Sequence, residues 1–447
     1  MNNSDKLLRK LKRIYAITNG LYTFGYYDKS LKYFEKNQNI FMNLPKKLRK
    51  EAEQLHCELL MLRTIIFSYR GDLIHSFEVV KKILKIAEEI DDKYCLLLAM
   101  YGYGRHYWLS GDLIKAFNYL DRAVELGKDI DDPGKYSWFL SVIMIAIRVA
   151  VMKGDLDIAQ KYFKQVEITK EEKKKSLFTT LQHKRMFEMS KALILKSSNR
   201  FRDRAMAQEL LKESFEDENY IFNNRLLALV DLCELLLIEL RSTNNPKIVD
   251  EIKPLIAKLL DFAKLINSFY YLIEVNIIQA KLALINFELN NARRFLTQGQ
   301  RMAERHGYSE LAIEIAELHE EMIQQSETWN HLEEIDAPMS KRMELARLSE
   351  NLNELIRVQK STKAQVYEKK VTVYKERKQC LVCLGDIEGF ENYICPNCDS
   401  IYCKKCANAL IEIENVCWSC ESPIDKAKPV KFKIKQNSDK TNKKGKK

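Results

Sequence analysis

The chain has 447 residues, 46% apolar and 30% charged, which is too long for a single core and predicts two or three domains. It holds only 14 Gly and 8 Pro, a scarcity of breakers that excludes collagen-like and low-complexity architectures and favours helix. The net charge of +11 is uneven: Asp425–Lys447 carries ten Lys and two Asp, a tail of +8, so the body is near neutral and does not read as a basic nucleic-acid-binding face.

The first residues, MNNSDKLLRKLKR, contain no apolar stretch of the kind a signal peptide needs. The most apolar run, Trp138 to Met152, is interrupted by Arg148 and reads as too short for a membrane span. A cytoplasmic protein without a transmembrane segment is the expectation. In a reducing compartment, paired cysteines hold metal more often than they form disulfides.

One phrase recurs along the first 170 residues: YRGDLIHSFEVVKKIL from Tyr69, LSGDLIKAFNYLDRAV from Leu109 and MKGDLDIAQKYFKQV from Met152. Each has Gly-Asp-Leu, a small residue three after the Leu (Ser76, Ala116, Ala159) and an apolar residue four further on (Val80, Leu120, Phe163). The glycines Gly71, Gly111 and Gly154 lie 40 and 43 residues apart, and a weaker copy, FGYYDKSLKYF, begins at Phe24. The pattern predicts helical hairpins. The Gly ends one helix and the Asp favours the start of the next. The small residue permits close approach, and the apolar residues form a buried stripe. No hairpin buries that stripe alone, so copies must stack. These residues resemble the tetratricopeptide repeat (TPR), best over Leu97–Ile130, where Gly104, Tyr107, Gly111, Ala116, Leu120 and Ala123 occupy favoured positions. Asn291–Ala312 resembles the degenerate repeats of TPR-like solenoids. Residues 1–330 therefore read as an all-α solenoid of about six to eight hairpins, whose concave groove would take protein partners.

Residues 331–378 read as a helical connector. Leu345, Leu348, Leu352 and Leu355 make a short heptad seam there, consistent with a coiled coil or with one helix packing on the solenoid.

Eight of the eleven cysteines follow as four Cys-x-x-Cys pairs: Cys380/Cys383, Cys395/Cys398, Cys403/Cys406 and Cys417/Cys420. Eight thiolates suffice for two tetrahedral zinc ions. The short gap between Cys398 and Cys403 favours an interleaved arrangement. Site one is then Cys380, Cys383, Cys403 and Cys406; site two is Cys395, Cys398, Cys417 and Cys420. Shells of four thiolates leave no open position, so both ions are expected to be structural and to supply the folding free energy that so small a core lacks.

Residues 379–426 resemble the RING finger, most closely the all-cysteine variety of the CCR4–NOT ubiquitin ligase subunit. The shared features are DIEGFENYI between the first two pairs, Ile401 and Tyr402 before the third, the helix-forming ANALIEI after it, and Pro423. The FYVE finger shares the central spacing CPNCDSIYCKKC, but ENYI stands where its basic lipid-reading segment belongs. The RING resemblance implies a two-zinc cross-brace that docks a ubiquitin-conjugating enzyme through Val382 and Leu410, with Trp418 in the position where the family usually has Pro. Glu421 stands where active members often carry a cation. The implied role is a ubiquitin ligase or ligase subunit. The alternative is a scaffold or tethering subunit without catalytic function, its finger a structural or binding module.

Residues 427–447 read as a disordered basic tail, with weak contact to nucleic acid or an anionic surface as its sharper reading. No phosphate-binding glycine loop and no His-Glu-x-x-His pair occurs, and the seven His residues are scattered over helical segments. Cys57, Cys95 and Cys233 are expected in the core. No catalytic residue is assigned.

Overall fold

The computed structural model describes residues 3–41, 45, 48–172, 180–243, 245–285, 288–309 and scattered positions to 319, then 380, 382–383, 392–395, 400–418, 420, 422–425 and 427–429. The chain divides into two compact units, Met1–Gln359 and Lys360–Lys447. The connector at 331–378 with its leucine seam, and the tail from 430 on, lie outside the described residues.

Among the described residues the first unit is built of α-helices: α1 Asn3–Thr23, α2 Tyr27–Asn37, α3 Arg49–Tyr69, α4 Leu73–Glu89, α5 Lys93–Leu109, α6 Leu113–Gly127, α7 Pro133–Met152, α8 Leu156–Glu172, α9 Leu181–Lys196, α10 Phe201–Glu216, α11 Phe222–Thr243, α12 Lys247–Leu265, α13 Phe269–Ile285 and α14 Leu289–Arg305. Each odd-numbered helix packs on the even-numbered helix after it, giving seven hairpins.

The repeated phrase does the local work expected of it. Gly71, Gly111 and Gly154 have φ of +77°, +87° and +77°, the left-handed turn that ends a helix. Asp72 and Asp112 then cap α4 and α6 by accepting the backbone N–H of His75 and Lys115. Ser76, Ala116 and Ala159 are fully buried between paired helices. Close approach is also why Gly104 belongs in α5: a Cβ there would lie 2.5 Å from Leu120 of α6.

The two helices of a hairpin differ in burial. α4 and α6 bury one stripe each, such as Ala116, Leu120, Ala123 and Val124. α5 and α7 are buried on nearly every side, so they form an inner layer with the amphipathic helices outside. The helix Pro133–Met152 is long and apolar enough to cross a membrane by length and composition, which the sequence reading did not expect; 72% of its most apolar window is buried inside this unit. A core helix of an inner layer passes that test because it meets protein all round.

The array also curls back on itself. α3 contacts α13, and α1 contacts α11. The Tyr308 hydroxyl donates to the Ser68 carbonyl at 2.6 Å, the Ser268 hydroxyl to the Tyr69 carbonyl at 2.8 Å, and Arg70 Nε to the Ile266 carbonyl at 3.1 Å. The inner faces near this seam are filled. Tyr69 stacks on Tyr271 at 5.2 Å and meets Tyr270 edge-on at 5.5 Å. The buried Arg105 guanidinium lies over the rings of Tyr69, Tyr101 and Trp108. Near this seam the inner side packs against its own aromatic residues, because α1 and α3 meet α11 and α13. Cys57, Cys95 and Cys233 are buried as expected, and so is Trp108, while Tyr107 packs partly buried against the core.

Gly71 sits in this seam with His306 against it: a Cβ would fall 2.6 Å from the imidazole, which itself stacks on Phe269 at 3.6 Å. Gly71→Val combines a strained φ with that clash and should lower stability by about 2 kcal/mol or more in urea unfolding followed by circular dichroism. Gly111→Val has the same positive φ; if the two variants are equally stable, the seam adds nothing.

Candidate metal centre

The second unit begins from an antiparallel hairpin. β1 (Asn392–Ile394) pairs with β2 (Ile401–Cys403), Tyr393 opposite Tyr402. Beyond β1, the Cys395 N–H donates to the Ser400 carbonyl at 2.9 Å and tightens the connection that carries the second cysteine pair. β2 runs directly into α15 (Lys404–Ile413), with Cys403 at its N-cap position. The third pair is thereby divided between a strand end and the first turn of a helix.

Past the end of α15, Asn415 has φ of +55° and its N–H donates to the Leu410 carbonyl at 2.7 Å. The buried Asn415 side chain then ties down the following segment. Its Nδ2 donates to the carbonyls of Asp425 and Lys428, and its Oδ1 accepts from the Asp425 N–H. Val416 forms a bridge with Pro423, and Cys417 N–H donates to the Ser422 carbonyl at 2.8 Å. This turn holds the last cysteine pair. Tyr402, Ala407, Leu410 and Ile424 form a small core with the thiols of Cys380, Cys395 and Cys417.

Two groups of thiols result. The sulfurs of Cys380, Cys383, Cys403 and Cys406 all lie within 4.8 Å of one another, as do those of Cys395, Cys417 and Cys420. The Cys383 and Cys403 sulfurs are 3.9 Å apart, and those of Cys395 and Cys420 are 3.6 Å apart. Cys398 lies outside the described residues, as does Glu421. The first and third pairs thus share one group, and Cys395 of the second pair joins the fourth pair in the other. Either donor set could hold a metal ion.

The thiols of the first group ionise unequally. Burial raises the cost of ionising Cys380, but the backbone N–H groups of Cys383, Cys403 and Val382 outweigh it and pull the thiol down to about 7. Burial and the neighbouring thiols Cys403, Cys383 and Cys380 push Cys406 up. Four adjacent thiolates repel one another, and a divalent ion with affinity for sulfur placed among them would offset that repulsion. A shell of four thiolates has no vacant position for substrate, so the centre fits a structural role.

The three residues expected to contact a partner differ in exposure. Leu410 is buried, whereas Val382 and Trp418 are half-buried and pack against the edge of the small core. Sequence reasoning did not single out Asn415 or Ser422, and it read Tyr402 only as an apolar-aromatic position. The signals were slight: an Asn just past a helix end, and hydroxyls beside or between cysteines.

Neither a scan against protein-family models nor a search of the curated proteins gives a match.

Proposed function

We propose that this chain is a cytoplasmic protein–protein adaptor whose C-terminal unit is a RING-like cross-brace with two structural zinc ions. The observation that supports the reading is the grouping of the first cysteine pair with the third, the first before the hairpin and the third where β2 passes into α15. An interleaved set of this kind makes a rigid knob that presents flanking side chains, which is how a RING-type ligase subunit acts. It performs no covalent step; it docks a ubiquitin-conjugating enzyme while the TPR-like helical unit binds a substrate. Val382, half-buried and adjoining Cys383, is the residue most suited to that docking.

The test is reconstitution of full-length protein with ubiquitin, activating enzyme and a panel of conjugating enzymes. Chain formation is expected, and Val382→Arg should weaken conjugating-enzyme binding at least about tenfold, equivalent to about 1.4 kcal/mol. If no member of the panel binds or builds chains, the ligase reading is wrong.

The burial of Leu410 favours a second reading, a scaffold without transfer activity. On that reading Leu410 fills the core between the metals, and both units hold partners. Weak contact of the basic tail with nucleic acid or an anionic surface would add to either reading.

A further inference from the structure

We infer that the two metal-holding groups are inequivalent, the second fixed and the first exchangeable at its exposed Cys383, with Tyr402 and Ser422 as positioning residues of the second. The inference rests on the metal reading above but goes beyond it. It starts from burial. In the second group Cys395 and Cys417 are fully buried and Cys420 is half-buried. In the first group only Cys380 is buried; Cys403 and Cys406 are half-buried, and Cys383 is exposed.

Hydroxyl groups reach the sulfurs of the second group. The Tyr402 hydroxyl lies 3.0 Å from the Cys417 sulfur, on a side chain with no solvent exposure. Ser422 Oγ lies 2.8 Å from the Cys420 sulfur and 3.5 Å from that of Cys395. Once these sulfurs are metal-bound thiolates they can only accept, so both hydroxyls must donate to them. Such bonds fix the orientation of a ligand and spread its negative charge, which makes it slower to leave as a thiol.

Exchange at a closed thiolate shell needs an entering ligand. A metal–sulfur bond breaks, a bond from the metal to a nitrogen or oxygen of the entering chelator forms, and the released thiolate takes a proton from water. The exposed Cys383 offers the approach for this step. The second group presents no sulfur of comparable exposure among its described ligands.

The experiment uses zinc-loaded full-length protein of measured metal content, mixed with excess 4-(2-pyridylazo)resorcinol, with release followed by absorbance. Two phases of one equivalent each are expected, separated about tenfold or more in rate. Cys383→Ser should remove the fast phase and keep the slow one. Tyr402→Phe and Ser422→Ala should each quicken the slow phase by about tenfold, the usual effect of removing such a partner, and leave the fast phase alone. Ser422→Ala removes a half-buried hydroxyl and keeps the test open if Tyr402→Phe disturbs the fold. Release of both equivalents in one phase, or acceleration of the fast phase alone by Ser422→Ala, overturns the inference. A content well below two equivalents instead removes the metal reading, and this inference with it.

Discussion

Stripping metal from the full chain is expected to unfold the Lys360–Lys447 unit and leave the helical unit intact. Besides its thiols, the described part of the small unit buries Tyr402, Ala407, Leu410 and Ile424. These four, the buried apolar side chains among the described residues other than the thiols, make a small core for a unit of several dozen residues. A structural zinc bound by thiolates contributes about 10 kcal/mol or more to folding, so its removal is comparable to the whole stability of an ordinary domain. The helical unit has a separate and much larger core that contains no metal-holding group among its described residues. Limited trypsin digestion with and without chelator checks this. Cleavage at Lys404 and Lys405 should appear only after chelation, while the segment up to about residue 319 stays protected. Equal protection of α15 in both conditions would mean that metal is not what folds the unit.

The second large effect is expected at Asp231. This carboxylate is fully buried on α11 and receives Arg148 of α7, at 3.2 and 2.5 Å, and Lys196 of α9, at 2.6 Å. Lys196 also pairs with Glu234. One buried anion thus joins three inner helices. Asp231→Asn leaves two cations facing each other with a single acidic partner near the edge, and should cost about 3–5 kcal/mol. Arg148→Met should cost less, because Lys196 still satisfies the carboxylate.

The pH dependence separates this mechanism from a packing defect. Burial pushes the Asp231 carboxyl up, but Arg148 and Lys196 together hold it below its ordinary value. A group depressed in the folded state stabilises above its unfolded pKa of about 4, and that contribution fades as pH falls through the folded value. The gap between wild type and Asp231→Asn should therefore be full at pH 7 and narrow below about pH 4, measured by urea unfolding. A gap that stays constant with pH would assign the loss to packing alone.

What was legible in the sequence was local. Gly-Asp-Leu encodes its own turn and cap, because Gly71 and Asp72 act within a few residues of where they stand. Cys-x-x-Cys encodes a tight turn in the same way. The closure of the array was not legible. It depends on Ser68 meeting Tyr308 and Tyr69 meeting Ser268, contacts that arise only after small rotations have accumulated over several hairpins. Arg148 looked like an interruption in an apolar run because its partner, Asp231, lies on a different hairpin. In the small unit the cysteine spacing showed which residues could bind metal. The hydroxyls that reach the sulfurs depend on the path of the chain after α15, which Asn415 sets through three hydrogen bonds.

The seam between α3 and α13 bears on how the helical unit comes apart. A row of hairpins with two loose extremities can shed its terminal members one at a time, each step breaking a single interface. Here the first two of the described hairpins also meet the last two, through α1 with α11 and α3 with α13. A described hairpin at either end must then break contacts on both flanks to depart, so partial melting is penalised twice and the described hairpins are expected to unfold as one cooperative body.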